Sequence, residues 1–150
     1  MHPICLDFLT AIELSPPELV ALAAENRCDA VSFMVHPVQG VPDFAMDGDS
    51  AMRRETKIRC QELGVAIDML EGFLLTPEVD VALFRPSLES AKWLGATRIN
   101  ALLRDDDLAR LADRFAALAE EAAGFGLETL TEWSIRTPLK TKVEAAAVVA

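Results

Sequence analysis

Five times along this chain a short β-prone run gives way to a helix-forming segment, at a spacing of roughly 25 to 35 residues. That alternation restricts the fold to parallel strands joined by right-handed helical crossovers. Residues 3–9 read as the first strand. Ser15-Pro16-Pro17-Glu18 is a capping box with proline at the first helical position, and Leu19, Leu22 and Ala23, widened by Val20 and Ala24, give the following helix a buried stripe. A second strand covers residues 30–35. His36-Pro37 closes it, and the stretch to Ser50, with Gly40, Pro42 and Gly48, has the composition of a long loop.

The helix over 51–63 carries Met52, Thr56, Cys60 and Leu63 on one side and stops at Gly64. Residues 65–70 form a third strand, closed by Glu71 and Gly72. In the next crossover Phe84, Leu88, Ala91 and Leu94 share a face, Pro86 starts or kinks the helix, and Gly95 ends it. A fourth strand, 97–103, contains Asn100 and leads into Arg104 and three aspartates, the last of which can cap a helix. There Leu108, Leu111, Phe115, Leu118 and Ala122 recur at steps of three and four, the clearest helical period in the chain. The fifth strand is 127–132, and Thr137-Pro138 opens a fifth helix through Val143, Ala147 and Val148 to the last residue.

Composition excludes several roles. A formal net charge of -10 repels phosphate backbones and argues against a nucleic-acid partner. The chain is 51% hydrophobic with a mean hydropathy of +0.23. Its apolar runs nevertheless fall far short of the ~20 residues of a membrane-spanning helix. The amino end has neither a basic leader nor a cleavage signal, so a cytoplasmic protein is expected. Cys5, Cys28 and Cys60 form no CxxC pair and read as buried free thiols.

Two α/β architectures fit. A length of 150 residues suits an open doubly wound sheet of five strands, whereas a (β/α)8 barrel usually needs about 250. No strand, however, leads into a GxGxxG or GxxxxGK[ST] phosphate loop. The segments LTPEVDVALFRPSLESAKWLGATRINAL and DDDLARLADRFAALAEEAAGFGLETLTEW tip the balance. Their pattern is Ala91-x-x-Leu94-Gly95-Ala96 entering a strand, an alanine-rich helix, then Gly126-Leu127 leading to a strand-terminal Glu132. It resembles the third to fifth units of the xylose-isomerase-like TIM barrels, the sugar phosphate isomerase/epimerase family. The resemblance implies one α/β domain over 1–150 that is the N-terminal part of a TIM barrel of about five strands, cut within the fifth helix.

It also implies chemistry. In that family a divalent metal (Mn, Mg, Co or Zn) is held by a Glu after strand five and by residues on later strands, so Glu132 matches the first metal ligand and a catalytic base, and the other ligands have no counterpart. Strand alternation puts Glu128, Leu130 and Glu132 on one face. His36 and Glu71 close strands two and three on the same expected rim and are candidates to contact hydroxyls or donate a proton. Asn100 and Arg104 are candidates for hydrogen-bonding or anion contact, and Trp133 for covering a sugar face. Asp7, in an apolar strand, either points into the barrel or marks an earlier strand end, since a carboxylate is costly to bury without a partner.

The expectation is a metal-dependent isomerase or epimerase of sugars or sugar phosphates, with lyase or dehydratase chemistry open on the same scaffold. The alternative is a non-catalytic barrel fragment that binds a partner or self-associates through its sheet edges.

Overall fold

The structure, a computed structural model, describes residues 2–135 and 137–149. Among these, five parallel strands form one sheet, β1 (Cys5–Asp7), β2 (Ala30–Met34), β3 (Ala66–Leu75), β4 (Arg98–Leu103) and β5 (Glu128–Thr131). They alternate with α1 (Pro16–Glu25), α2 (Ala51–Leu63), α3 (Arg85–Leu94), α4 (Leu108–Gly124) and α5 (Lys142–Val149). The strand order is β1-β2-β3-β4-β5. A doubly wound sheet reverses direction at a switch point, so this unbroken order rejects that alternative and matches successive units of a barrel.

The two sheet faces differ because the sequence alternates. Val31 and Phe33 of β2, Leu70 and Phe73 of β3, and Ile99 and Ala101 of β4 are buried on the helix side. They meet Leu19, Val20 and Ala23 of α1, Leu88 and Ala91 of α3, and Leu111 and Leu118 of α4 in one core. Each fully buried Leu or Phe stabilises the fold by roughly 1.5–3 kcal/mol. The opposite face carries Asp7, Ser32, Glu71 and Asn100 on adjacent strands.

The predicted stripe of α3 is buried, as are Leu111, Phe115, Leu118 and Ala122 of α4. Leu108, in the first turn of α4, is exposed, as is Leu63 at the end of α2. Of the cysteines expected to be buried, only Cys60 is. Cys28 is partly buried and Cys5 exposed, because β1 is an outer strand with solvent beside it. No helix among the described residues is long and apolar enough to cross a membrane.

Three boundaries depart from the sequence reading. β1 stops at Asp7 because the Asp7 carboxylate accepts the Leu9 N–H at 2.9 Å and turns the chain into a 3-10 segment that buries Phe8. α5 begins at Lys142, not at Thr137-Pro138. The buried Thr137 hydroxyl donates within a turn, with Leu139 O 2.7 Å away, and Glu144 accepts the N–H groups of Lys140 and Thr141 at 2.8 Å, capping the later start.

β3 is the largest departure, running five residues past its expected end. Gly72 has φ +110°, and the register with β4 shifts between Leu70 and Phe73, so Glu71 and Gly72 bulge opposite Asn100. A Cβ at Gly72 would lie 2.3 Å from the His36 carbonyl oxygen, a backbone atom with no rotamer to yield. Gly72→Ala is therefore expected to destabilise the fold by about 3 kcal/mol, combining backbone strain with that clash. Urea unfolding checks this, and an unchanged midpoint would remove the bulge from the argument.

Candidate active site

The sheet's open face is built around Glu71. Strand alternation after Leu70 puts its side chain on the face opposite the core, yet it is only 8% exposed. Its carboxyl is pushed up to about 7, with burial the largest cause, the charge of Asp7 and hydrogen bonding to it next, the Asn100 amide acting the other way, and the Glu132 charge adding last. Glu71 thus holds or releases a proton near neutral pH. Asp7 is tied down by its neighbours, since Ser32 Oγ donates to Oδ2 at 2.7 Å while Leu9 N–H occupies Oδ1. Its cost of burial is offset in that way.

The sequence placed Glu71 at a strand exit, whereas it lies inside β3, at the bulge. Asn100, buried at 5% exposure, joins it from β4. Glu132, one residue past β5, is exposed, and its charge reaches Glu71. Asp7 belongs to the same group. Its isolation in an apolar strand was the signal, and its position proves to be both a strand end and an open-face site.

The remaining candidates lie apart. His36 follows β2, and its ring packs edge-on against Phe84 with centroids 4.9 Å apart. Its backbone is fixed to the same bulge, because Glu71 O accepts the N–H groups of Val35 and His36 at 2.9 and 3.4 Å. Burial lowers the His36 pKa, although Asp47 and Asp43 act against it. Arg104 extends the β3–β4 pairing through its N–H to Leu75 O at 2.9 Å, and its side chain is exposed. Trp133, 50% exposed, lines a cleft of about 350 Å³ with Phe115, Thr129, Thr131 and Ala145, on the helix side of β5.

No group of three or more His, Cys, Asp or Glu side chains able to hold a metal ion occurs among the described residues. A hard divalent cation takes about six oxygens. Here Glu132 stands as a single exposed carboxylate, the Asp7 oxygens are committed to Ser32 and Leu9, and Glu71 retains its proton to about pH 7. This set does not fit a metal centre by itself. The aspartates after β4 are no calcium loop either, since Asp105 is clamped by Arg110 at 2.6 and 2.7 Å and Asp107 caps α4.

With this geometry in hand, comparison with solved structures defines the class of fold. The chain aligns with a xylose isomerase domain containing protein from Salmonella typhimurium LT2 at a TM-score of 0.78 and 15% identity, over 97% of this chain and 55% of that one. It aligns with the D-psicose 3-epimerase of Clostridium cellulolyticum H10, determined with D-tagatose, at 0.76 and 15%, over 99% and 59%. A xylose isomerase-like TIM barrel protein from Mycobacterium smegmatis in complex with magnesium gives 0.67 and 16%, over 98% and 60%.

The chain has the fold of the xylose-isomerase-like TIM barrels. It spans between 55% and 60% of the length of these three chains. No protein-family model and no curated protein matches it.

The raised Glu71 pKa fixes the sign of a stability effect. An unfolded chain gives up this proton near the ordinary value of 4.5 and the folded chain near 7, so raising pH through that window favours unfolding. Stability is expected to fall by about 2–3 kcal/mol between pH 4.5 and 8. Glu71→Gln, which mimics the protonated acid, is expected to flatten that dependence and to be more stable than the parent at pH 8. Thermal unfolding across pH checks both, and identical profiles for the two proteins would contradict the assignment.

Proposed function

We propose that this chain carries the proton-transfer half of a sugar isomerase or epimerase site, with a small polyhydroxylated carbonyl compound as substrate. The observation that carries the reading is a buried carboxyl, Glu71, that titrates near 7 on the open face of a half-barrel, with Asp7, Asn100 and Glu132 acting on it. A group poised at the working pH can both donate and accept a proton.

In this reading Glu132 removes the proton from the carbon next to the carbonyl while protonated Glu71 donates to the carbonyl oxygen, giving an enediol. Return of that proton by Glu132 to the neighbouring carbon isomerises the substrate, whereas epimerisation requires a separate acid on the opposite face of the same carbon and leaves Glu132 to lose its proton to water. Glu71 then recovers its proton from the hydroxyl. Asn100 orients a hydroxyl and Arg104 is a candidate for an anionic group at the rim, whereas Trp133, in the helix-side cleft of β5, is set apart from this face. The same groups could serve a dehydratase or lyase, since the scaffold does not select among them.

By resemblance Glu132 is also one ligand of a divalent cation, which would polarise substrate oxygens when bound. The described residues include no group of three or more donors that would complete its coordination. D-Tagatose in the epimerase from Clostridium cellulolyticum H10 supports ketohexoses as first substrates to try.

The test is incorporation of deuterium from D2O beside the carbonyl of D-fructose or D-tagatose, followed by NMR with and without Mn²⁺. The parent is expected to incorporate label, and Glu71→Gln and Glu132→Gln to do so at least about tenfold more slowly, the loss expected for removing one acid–base group. Equal rates in parent and both variants would end the reading.

A second reading rests on a separate observation. β5 is an outer strand, and near it Trp133, Ile135 and Val143 are 50%, 86% and 79% exposed. Apolar groups beside a free strand edge favour pairing, with more strands of the same polypeptide or with another copy. Light scattering of the 150-residue chain is expected to show concentration-dependent association, and a monomer at all concentrations would count against it.

A further inference from the structure

Two carboxyl groups meet on the open face, and a hydrogen bond between them needs a proton on one of them. Asp7 of β1 lies opposite Ser32 of β2, and Glu71 of β3 lies opposite Met34, two residues further along β2. Ser32 has a short side chain, which lets the Asp7 and Glu71 carboxyls hydrogen-bond across β2. Ser32 is itself buried, and Met34 beside Glu71 is apolar and half-buried, so little water reaches the junction.

The surrounding donors decide which carboxyl is ionised. A backbone N–H can only donate, and the Leu9 N–H meets Asp7 Oδ1 at 2.9 Å, while Ser32 Oγ donates to Oδ2 at 2.7 Å. Asp7 is thus the carboxylate, with both oxygens already accepting, and the hydrogen between the two groups belongs to Glu71. The Asn100 amide reaches Glu71 from β4. The other titratable groups facing the pair are the exposed Glu132 and Cys5, whose thiol also meets Ser32 and is held neutral by burial. Asp68, on the same side as Cys5, is paired with Arg98.

We propose that Asp7 and Glu71 form one acid pair holding a single proton, with Asp7 as the fixed anion, and that Asp7 is a positioning residue for the proton Glu71 transfers. The positioning role rests on the isomerase reading above, whereas the pair rests on the hydrogen bonds alone. Donation from Glu71 breaks its O–H bond and forms the O–H bond of the enediol. Two carboxylates are then left side by side where water is scarce, and their repulsion draws the proton back from the enediol hydroxyl to Glu71.

The pair is tested by ¹³C NMR of the chain labelled at aspartate and glutamate side-chain carboxyls. In the parent, the Asp7 and Glu71 resonances are expected to move together through one titration step, as for any two groups that share a proton. Asp7→Asn removes the charge but keeps an oxygen to accept the Leu9 N–H, and its amide can donate to ionised Glu71. The Glu71 midpoint is expected to fall by about one pH unit or more in this variant, a tenfold loss of proton affinity. An Asp7 resonance that stays flat while Glu71 titrates overturns the shared proton, and an unmoved Glu71 midpoint in Asp7→Asn overturns the part played by Asp7. Should Asp7→Asn fail to fold, the parent titration decides the matter.

The positioning role is read from the pH profile of deuterium incorporation into D-fructose. In Asp7→Asn the fall in rate with rising pH is expected to begin about one pH unit lower than in the parent, making incorporation about tenfold slower at pH 8. A loss of equal size at every pH overturns that role. Failure of the isomerase reading shows separately, as joint titration of the two carboxyls in a parent that incorporates no deuterium, which leaves the pair standing without its positioning role.

Discussion

The structure depends on one close approach, where β3 passes the end of β2 with a glycine in place of a side chain. At Gly72 the chain takes φ +110° beneath the His36 carbonyl, and the extra residue returns Phe73 to the core face that Leu70 occupies while Glu71 between them stays on the other face. A regular strand in that position would keep Leu70 and Phe73 out of the common register that packs both against the helices. The bulge keeps both hydrophobic residues in the core while the carboxyl stays on the open face. One backbone irregularity thereby sets the packing on one side of the sheet and accompanies the buried carboxyl on the other.

What gathers around Glu71 follows from parallel topology. Strands laid side by side in chain order bring Asp7, Ser32, Asn100 and the residue beyond β5 to one face, though they are far apart in sequence. Water is largely excluded at Glu71, so the neighbouring carboxylates are weakly screened and the proton is retained. Glu132, by contrast, is exposed to solvent.

Much of this was legible in the residues. Helix caps and periodicity located α1, α2 and α4, and the spacing of Phe84, Leu88, Ala91 and Leu94 gave the buried face of α3. The extension of β3 was not legible, because Glu71-Gly72 is composed like a strand exit and only the tertiary contact with His36 shows that the strand continues. The start of α5 was missed for a related reason. Thr137-Pro138 looks like a helix opening, but the Thr137 hydroxyl is used to close a turn, and Glu144 caps the helix later. Asp7 announced itself as an anomaly without revealing its partners. A hydrogen-bonded line from His36 to Asp47 through Ser87 left no local trace, since serine on a helix face is common and its neighbours lie 51 and 40 residues away.

The most direct test of the account is the ionisation of Glu71 itself. A ¹³C NMR titration of the chain labelled at glutamate side-chain carboxyls, with Glu71→Gln to assign the resonance, reads it without reference to activity or stability. The account predicts a midpoint near 7, set apart from the exposed glutamates. A midpoint at the ordinary value near 4.5 would show that the open face does not withhold water from this group, and the proposed proton transfer would lose its basis.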